Sequence, residues 1–253
     1  MTGEAFFDLL TLSWIGLAFV TYLVLTKMAA PYGRHVQYSW GPMIDHRLAW
    51  IIMELASPLS FAYFFLNGRQ VKSTVLWLFF YLWIFHYINR SIVYPLRAQM
   101  DGKEMPIVIM LSSLLFNGVN GYLNGYYLGH LSQPYPTTWF LDIRFAIGTL
   151  LFVAGVLINF NADNVLMELR PQGKMGYRIP KGGLYQYITC PNYFGEIIEW
   201  SGFAIMTWSL PGLAFALWTA ANLLPRAVAH HAWYLEHFQD YPQDRKAVIP
   251  FFW

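Results

Sequence analysis

The 253-residue chain is 57% hydrophobic and only 12% charged, whereas soluble domains carry about 25% charged residues. That excludes an ordinary soluble globule and implies an all-α, polytopic integral membrane protein. A net charge of +2, scattered along the chain, offers nucleic acid no surface, and Cys190 as the one cysteine rules out an intrachain disulfide.

Seven apolar stretches approach or exceed the roughly 20 residues that a bilayer core demands: 5 to 26, 48 to 66, 74 to 96, 105 to 128, 141 to 161, 193 to 210 and 212 to 229. The first opens with Glu4 and Asp8 instead of a basic segment, so it reads as a span and not a cleaved signal. Pro211 and Gly212 are expected to form the turn between the last two. With seven spans, Lys27, Arg34, Arg47, Arg97, Lys103, Arg170, Lys174, Arg178, Lys181, Arg226, Arg245 and Lys246 share one side, while Arg69 and Lys72 lie on the other. The basic side is cytoplasmic. The N-terminus is therefore expected outside and the C-terminus inside, with cytosolic loops around 162–192 and 226–253 and one membrane-embedded domain over 1–253.

Span 2 carries Glu54 about a turn and a half into an apolar helix. Two readings are open: a carboxyl kept protonated by burial and so able to donate to a carbonyl, or an acid paired with Arg to lock two helices. In span 3, Tyr87, Arg90, Ser91 and Tyr94 recur at helical spacing, which makes a polar face lining a cavity or a helix interface. Span 4 holds Asn117, Gly118, Asn120, Gly121, Asn124 and Gly125, a composition that favours close helix packing. Span 5 leads out through Asn159, Asp163 and Arg170, which share a helical face within about 40°.

The stretch from 177 to 200 is the centre of the pattern. Tyr177, Arg178, Pro180, Lys181 and Gly182-Gly183 read as a basic loop. After it, Asn192, Glu196 and Glu199 form a polar stripe entering apolar sequence, within about 40° on a helix. Carboxylates at membrane depth mark a functional site by default; the alternative is a charge bias at a helix N-terminus. His230, Tyr234 and His237 also align, but no Cys or carboxylate completes a set at ligand spacing, so no metal is expected. Neither a Gly-x-Gly-x-x-Gly nor a Walker pattern occurs.

The run Tyr177-Arg178-Ile179-Pro180, Gly182-Gly183-Leu184, Asn192 and Gly195-Glu196-Ile197-Ile198-Glu199-Trp200 strongly resembles the steroid 5α-reductases, in their type 2 branch most closely. Thr207-Trp208-Ser209-Leu210-Pro211, Asp142-Ile143-Arg144-Phe145 and Asp240-Tyr241-Pro242 extend the likeness. The resemblance implies a seven-helix reductase that passes hydride from NADPH to C5 of a 3-oxo-Δ4-steroid, with Glu54 and Tyr87 as catalytic donors to the C3 carbonyl. It places NADPH contacts on Asn159, Asp163, Arg170, Tyr177, Arg178, Asn192, Glu196, Trp200, Arg226, His230 and Tyr234, and the substrate pocket at Met53 and Phe116. Met53 stands where vertebrate members have Gln, which removes one polar contact to the steroid. The implied partners are membrane lipids and a steroid entering from lipid, with the protein a monomer. The implied location is a multi-pass protein of the inner membrane in a bacterium or the endoplasmic reticulum in a eukaryote, cofactor side cytoplasmic. Rival readings are a related reductase of another sterol or enoyl substrate, and a methyltransferase of the isoprenylcysteine type binding S-adenosylmethionine.

Overall fold

The computed structural model describes residues 3–169 and 176–253. Long helices dominate it: α1 (Gly3–Lys27), α2 (His46–Leu66), α3 (Thr74–Ile88), α5 (Ile107–Tyr126), α6 (Ile143–Glu168), α7 (Pro191–Thr207) and α8 (Leu210–His237). A four-residue helix, α4 (Tyr94–Arg97), continues α3 after a π-turn at Asn89–Val93. Each long helix coincides with one of the expected apolar stretches, although α6 runs to 168 and α8 to 237, beyond the apolar runs that predicted them. By length and composition α1, α2, α5 with its following π-turn, and α6 suffice to cross a membrane. The 15 residues of α3 reach only about 22 Å as an α-helix, and α7 and α8 carry Glu196, Glu199 and Arg226 along their length.

One expectation is corrected. The turn between α7 and α8 is made by Trp208 and Ser209, not by Pro211-Gly212: Trp208 takes a left-handed conformation (φ 46°). Ser209 then caps α8, its Oγ accepting from the Gly212 amide at 3.1 Å. Pro211 sits in the first helical turn, where a missing N–H costs nothing. A further departure from an all-α chain is a minimal antiparallel ladder, β1 (Met43–Asp45) against β2 (Glu104–Pro106), which sets the starts of α2 and α5 side by side.

Two compact units organise the chain: residues 1–8 with 30–142, and residues 9–29 with 143–253. In the first, α5 lays glycines on the backbone of α2. A Cβ on Gly121 would stand 2.5 Å from the Ser57 carbonyl oxygen, and one on Gly125 would stand 2.5 Å from that of Phe61. The tight packing expected of span 4 is thus what its glycines do. An aromatic core of Phe61, Phe65, Phe79 and Trp83, each essentially unexposed, fills the space between α2 and α3.

The second unit repeats the device between α6 and α7. Gly148 faces Gly202, and Gly155 faces Gly195, so a Cβ on Gly195 would lie 2.6 Å from the Asn159 amide. Trp200 fills the adjoining core against Phe152, Phe203 and Phe215, with the Phe215 ring centroid 4.3 Å away. Trp218 of α8 donates its indole N–H to the Trp14 carbonyl at 2.9 Å.

Candidate functional site

Within the first unit, Glu54, Tyr87 and Phe116 come from three helices, α2, α3 and α5, and Asn117 of α5 bonds to both α2 and α3. The Asn117 amide nitrogen donates to the Met53 carbonyl at 2.8 Å, at the residue before Glu54. Its oxygen faces the Tyr87 hydroxyl at 3.5 Å, a long and weak contact. Tyr87 is 3% exposed, while Glu54 and Phe116 are half-buried. Pro58, inside α2, has no N–H to give to the carbonyl four residues back, which is that of Glu54. The Met53 side chain packs into a cluster with Ala49, Met105 and Met110.

The π-turn after Tyr87 changes the face expected of span 3. An extra residue per turn shifts the phase. Ser91 is buried and donates its hydroxyl back to the Tyr87 carbonyl. Arg90 instead lies over the rings of Trp50 and Tyr94, 5.1 and 4.9 Å from their centroids, and its carbonyl accepts the Trp50 indole N–H at 2.9 Å. Tyr87 and Arg90 therefore serve different neighbours. Arg47, at the start of α2, pairs with Asp101 at 3.0 Å and donates to the Pro95 carbonyl.

The second unit gathers most of the remaining predicted residues at the start of α7. Asn159 donates its side-chain amide to the Asn192 carbonyl at 3.0 Å, and Asn192 donates in turn to Asp163 at 3.4 Å. Asn159 and Asp163 are buried, and Glu196 follows half-buried one turn along α7. Among the described residues, the N-cap position of α7, Cys190, makes no side-chain capping hydrogen bond, and Pro191 opens the helix. From α8, the Arg226 guanidinium lies 5.2 Å over the Tyr193 ring, and the His230 Nε2 sits 3.1 Å from the Tyr193 hydroxyl.

The loop before α7 is anchored on both sides. Tyr234 donates its hydroxyl to the Arg178 carbonyl at 3.3 Å, and Tyr177 sets its ring edge-on to Trp233. The Arg178 side chain remains exposed. Tyr185 donates to the Ala162 carbonyl at 3.3 Å. Residues 246 and 247 bond the backbone of 187, 189 and 190, strapping the tail across the loop. Arg170 lies outside the described residues. Trp200 stands apart from the polar group, in the aromatic core described above.

Residues that the sequence reading did not single out complete the arrangement: Tyr193, which links Arg226 to His230, and the triad Thr189, His231 and Tyr241. Thr189 Oγ1 lies 2.6 Å from His231 Nδ1 and 2.7 Å from the Tyr241 hydroxyl. Burial, with Lys246 and Arg245 close by, holds the His231 imidazole below its usual range, and burial pushes the Tyr241 phenol up. Both lie beyond the apolar stretch that ends at 229. No periodicity marks them, because their contacts join a loop, a helix end and the tail.

Chemically, the first group offers an acid, a phenol and an amide in a mostly apolar setting, and the second offers amides, carboxylates and cations at a helix start. The family model described as 3-oxo-5-alpha-steroid 4-dehydrogenase matches residues 103–253. The protein named steroid 5-alpha-reductase DET2 of Gossypium hirsutum is 45% identical over 249 residues, 96% of this chain and 95% of its own. That of Arabidopsis thaliana is 39% identical, over 99% and 98%. The 3-oxo-5-alpha-steroid 4-dehydrogenase 1 of Homo sapiens is 41% identical over 223 residues, 87% and 85%. With identity of this order along nearly its whole length, the chain belongs to the 3-oxo-5-alpha-steroid 4-dehydrogenase family.

Proposed function

We propose that this membrane protein reduces the Δ4 double bond of 3-oxosteroids at the expense of NADPH, with hydride added at C5. The observation that carries the reading is the group built by α2, α3 and α5, where Asn117 links the buried Tyr87 to the backbone carbonyl of Met53, the residue before Glu54, in a chain related over most of its length to proteins named for this reaction. Reduction at the β-carbon of an enone gathers negative charge on the carbonyl oxygen. Donors fixed at that oxygen in a dry site stabilise it most effectively. Glu54, kept protonated, and Tyr87 are those donors, and Phe116 and Met53 belong to the surrounding steroid pocket.

The residues around the start of α7 suit a phosphate-bearing nucleotide. Arg226, Arg178 and His230 supply cations and donors suited to phosphate oxygens, while Asn159, Asp163, Asn192 and Glu196 supply a network for amide and hydroxyl groups. Arg170, Tyr177 and Tyr234 extend the set, and Trp200 supports it from the core. Bound there, NADPH supplies the hydride. All seven long helices then span the bilayer with the C-terminal tail cytosolic, so that the nucleotide arrives from the cytosol and the steroid from lipid.

Glu54→Gln and Tyr87→Phe are each expected to lower turnover by about 10²-fold, the usual loss for one donor at a developing oxyanion, with NADPH binding kept. Titration calorimetry alongside product analysis checks both. Loss of NADPH binding in either variant would remove these residues from the carbonyl site. Tight S-adenosylmethionine binding in the same titration would favour the methyltransferase reading.

A further inference from the structure

Asn117 of α5 bonds both the Tyr87 hydroxyl and the α2 backbone at the residue before Glu54. Hydroxyls of Ser91, Ser201 and Thr219 all give their proton to the backbone carbonyl four residues back, as is usual for Ser and Thr in apolar helices. The Ser57 hydroxyl is fully buried with no hydrogen-bond partner, although the Met53 carbonyl is the acceptor one turn behind it. That carbonyl is taken by Asn117 from α5.

This bond decides which end of the amide faces Tyr87. With its NH2 committed to Met53, Asn117 must present its oxygen to the phenol, so the Tyr87 hydroxyl is met by an acceptor and kept a donor. The contact is 3.5 Å long, weak enough for a better acceptor to displace it. We infer that Asn117 is a positioning residue for the reduction: it anchors on the Met53 carbonyl and aims the Tyr87 hydroxyl, whose hydrogen bond turns from the Asn117 oxygen to the steroid C3 oxygen while the phenol keeps its proton. The inference rests on the proposed reading of Tyr87 as a carbonyl donor.

The test is a double-mutant cycle with the full-length protein in detergent, using Asn117→Ala, near-isosteric Asn117→Leu, Tyr87→Phe and the combinations. Product is counted by mass spectrometry over long incubations, and NADPH binding and melting temperature serve as controls. In the otherwise native chain either Asn117 variant should lower kcat about ten-fold, with the steroid KM changed less than about two-fold. In the Tyr87→Phe background the same change should cost less than two-fold, since an effect exerted through a hydroxyl vanishes with it. Equal losses in both backgrounds, or a loss confined to KM, would reduce Asn117 to a packing residue. Should Tyr87→Phe turn over too slowly to measure, the kcat-against-KM split of Asn117→Leu decides. If Tyr87→Phe alone leaves turnover intact, the reading of Tyr87 fails, and this inference with it.

Discussion

His231 shows how a single side chain ties the loop before α7 to the tail. Its Nδ1 meets the Thr189 hydroxyl, which also meets Tyr241, and the nearby charges are those of Lys246 and Arg245. A proton on this imidazole would be poorly solvated and next to two cations. The folded state therefore takes that proton at lower pH than the unfolded chain does. The stability it contributes is complete above about pH 6.5, the usual imidazole value, and falls as pH drops below it. Melting of the detergent-solubilised protein between pH 7.5 and 5.5 should show this loss, and His231→Gln should flatten it. Parallel curves for the two proteins would mean that the imidazole does not feel those neighbours. Nothing in the sequence announced this residue, because its partners lie tens of positions away with no helical period linking them. Asn159, Asp163 and Asn192 were legible for the opposite reason: each repeats on one helix face, and the structure joins those faces by hydrogen bonds.

Between helices, glycine decides where backbones touch. Gly118 and Gly125 lie two turns apart on α5, yet a Cβ on Gly125 would collide with the Phe61 carbonyl oxygen at 2.5 Å, whereas one on Gly118 would meet nothing within 4 Å. Gly125→Ala should cost about 1–3 kcal/mol by overpacking. Gly118→Ala should be neutral or gain up to about 1 kcal/mol from helix propensity. Thermal melts of the two variants check the contrast, and equal shifts would count against the seam. The long helices were readable because apolar length is a strong signal, and so was the likelihood of tight packing in a glycine-rich span. The π-turn at Asn89–Val93 was not, its Arg90 carbonyl being bonded by Trp50 of another helix; nor was the left-handed Trp208, a conformation uncommon outside glycine, after which Ser209, not Pro211-Gly212, restarts the helix. The three-residue strands are too short to leave an alternating pattern.

For the molecule as a whole, composition set the solvent and the distribution of polar residues set the chemistry. A chain with 12% charged residues that still buries Asn117, Asn159, Asp163 and Glu199 spends free energy on polarity in apolar surroundings, which is characteristic of functional sites in membranes. The first unit keeps an acid and a phenol, and the second keeps amides and cations around the start of α7. The measurement that bears most directly on the proposed reaction is mass spectrometry of the steroid after turnover of a 3-oxo-Δ4-steroid with NADPH doubly deuterated at nicotinamide C4. The predicted product is heavier than the substrate by one deuterium and one hydrogen, with the deuterium at C5 and the double bond gone. NADPH consumed while the double bond survives, or a saturated ring with no deuterium at C5, would contradict it.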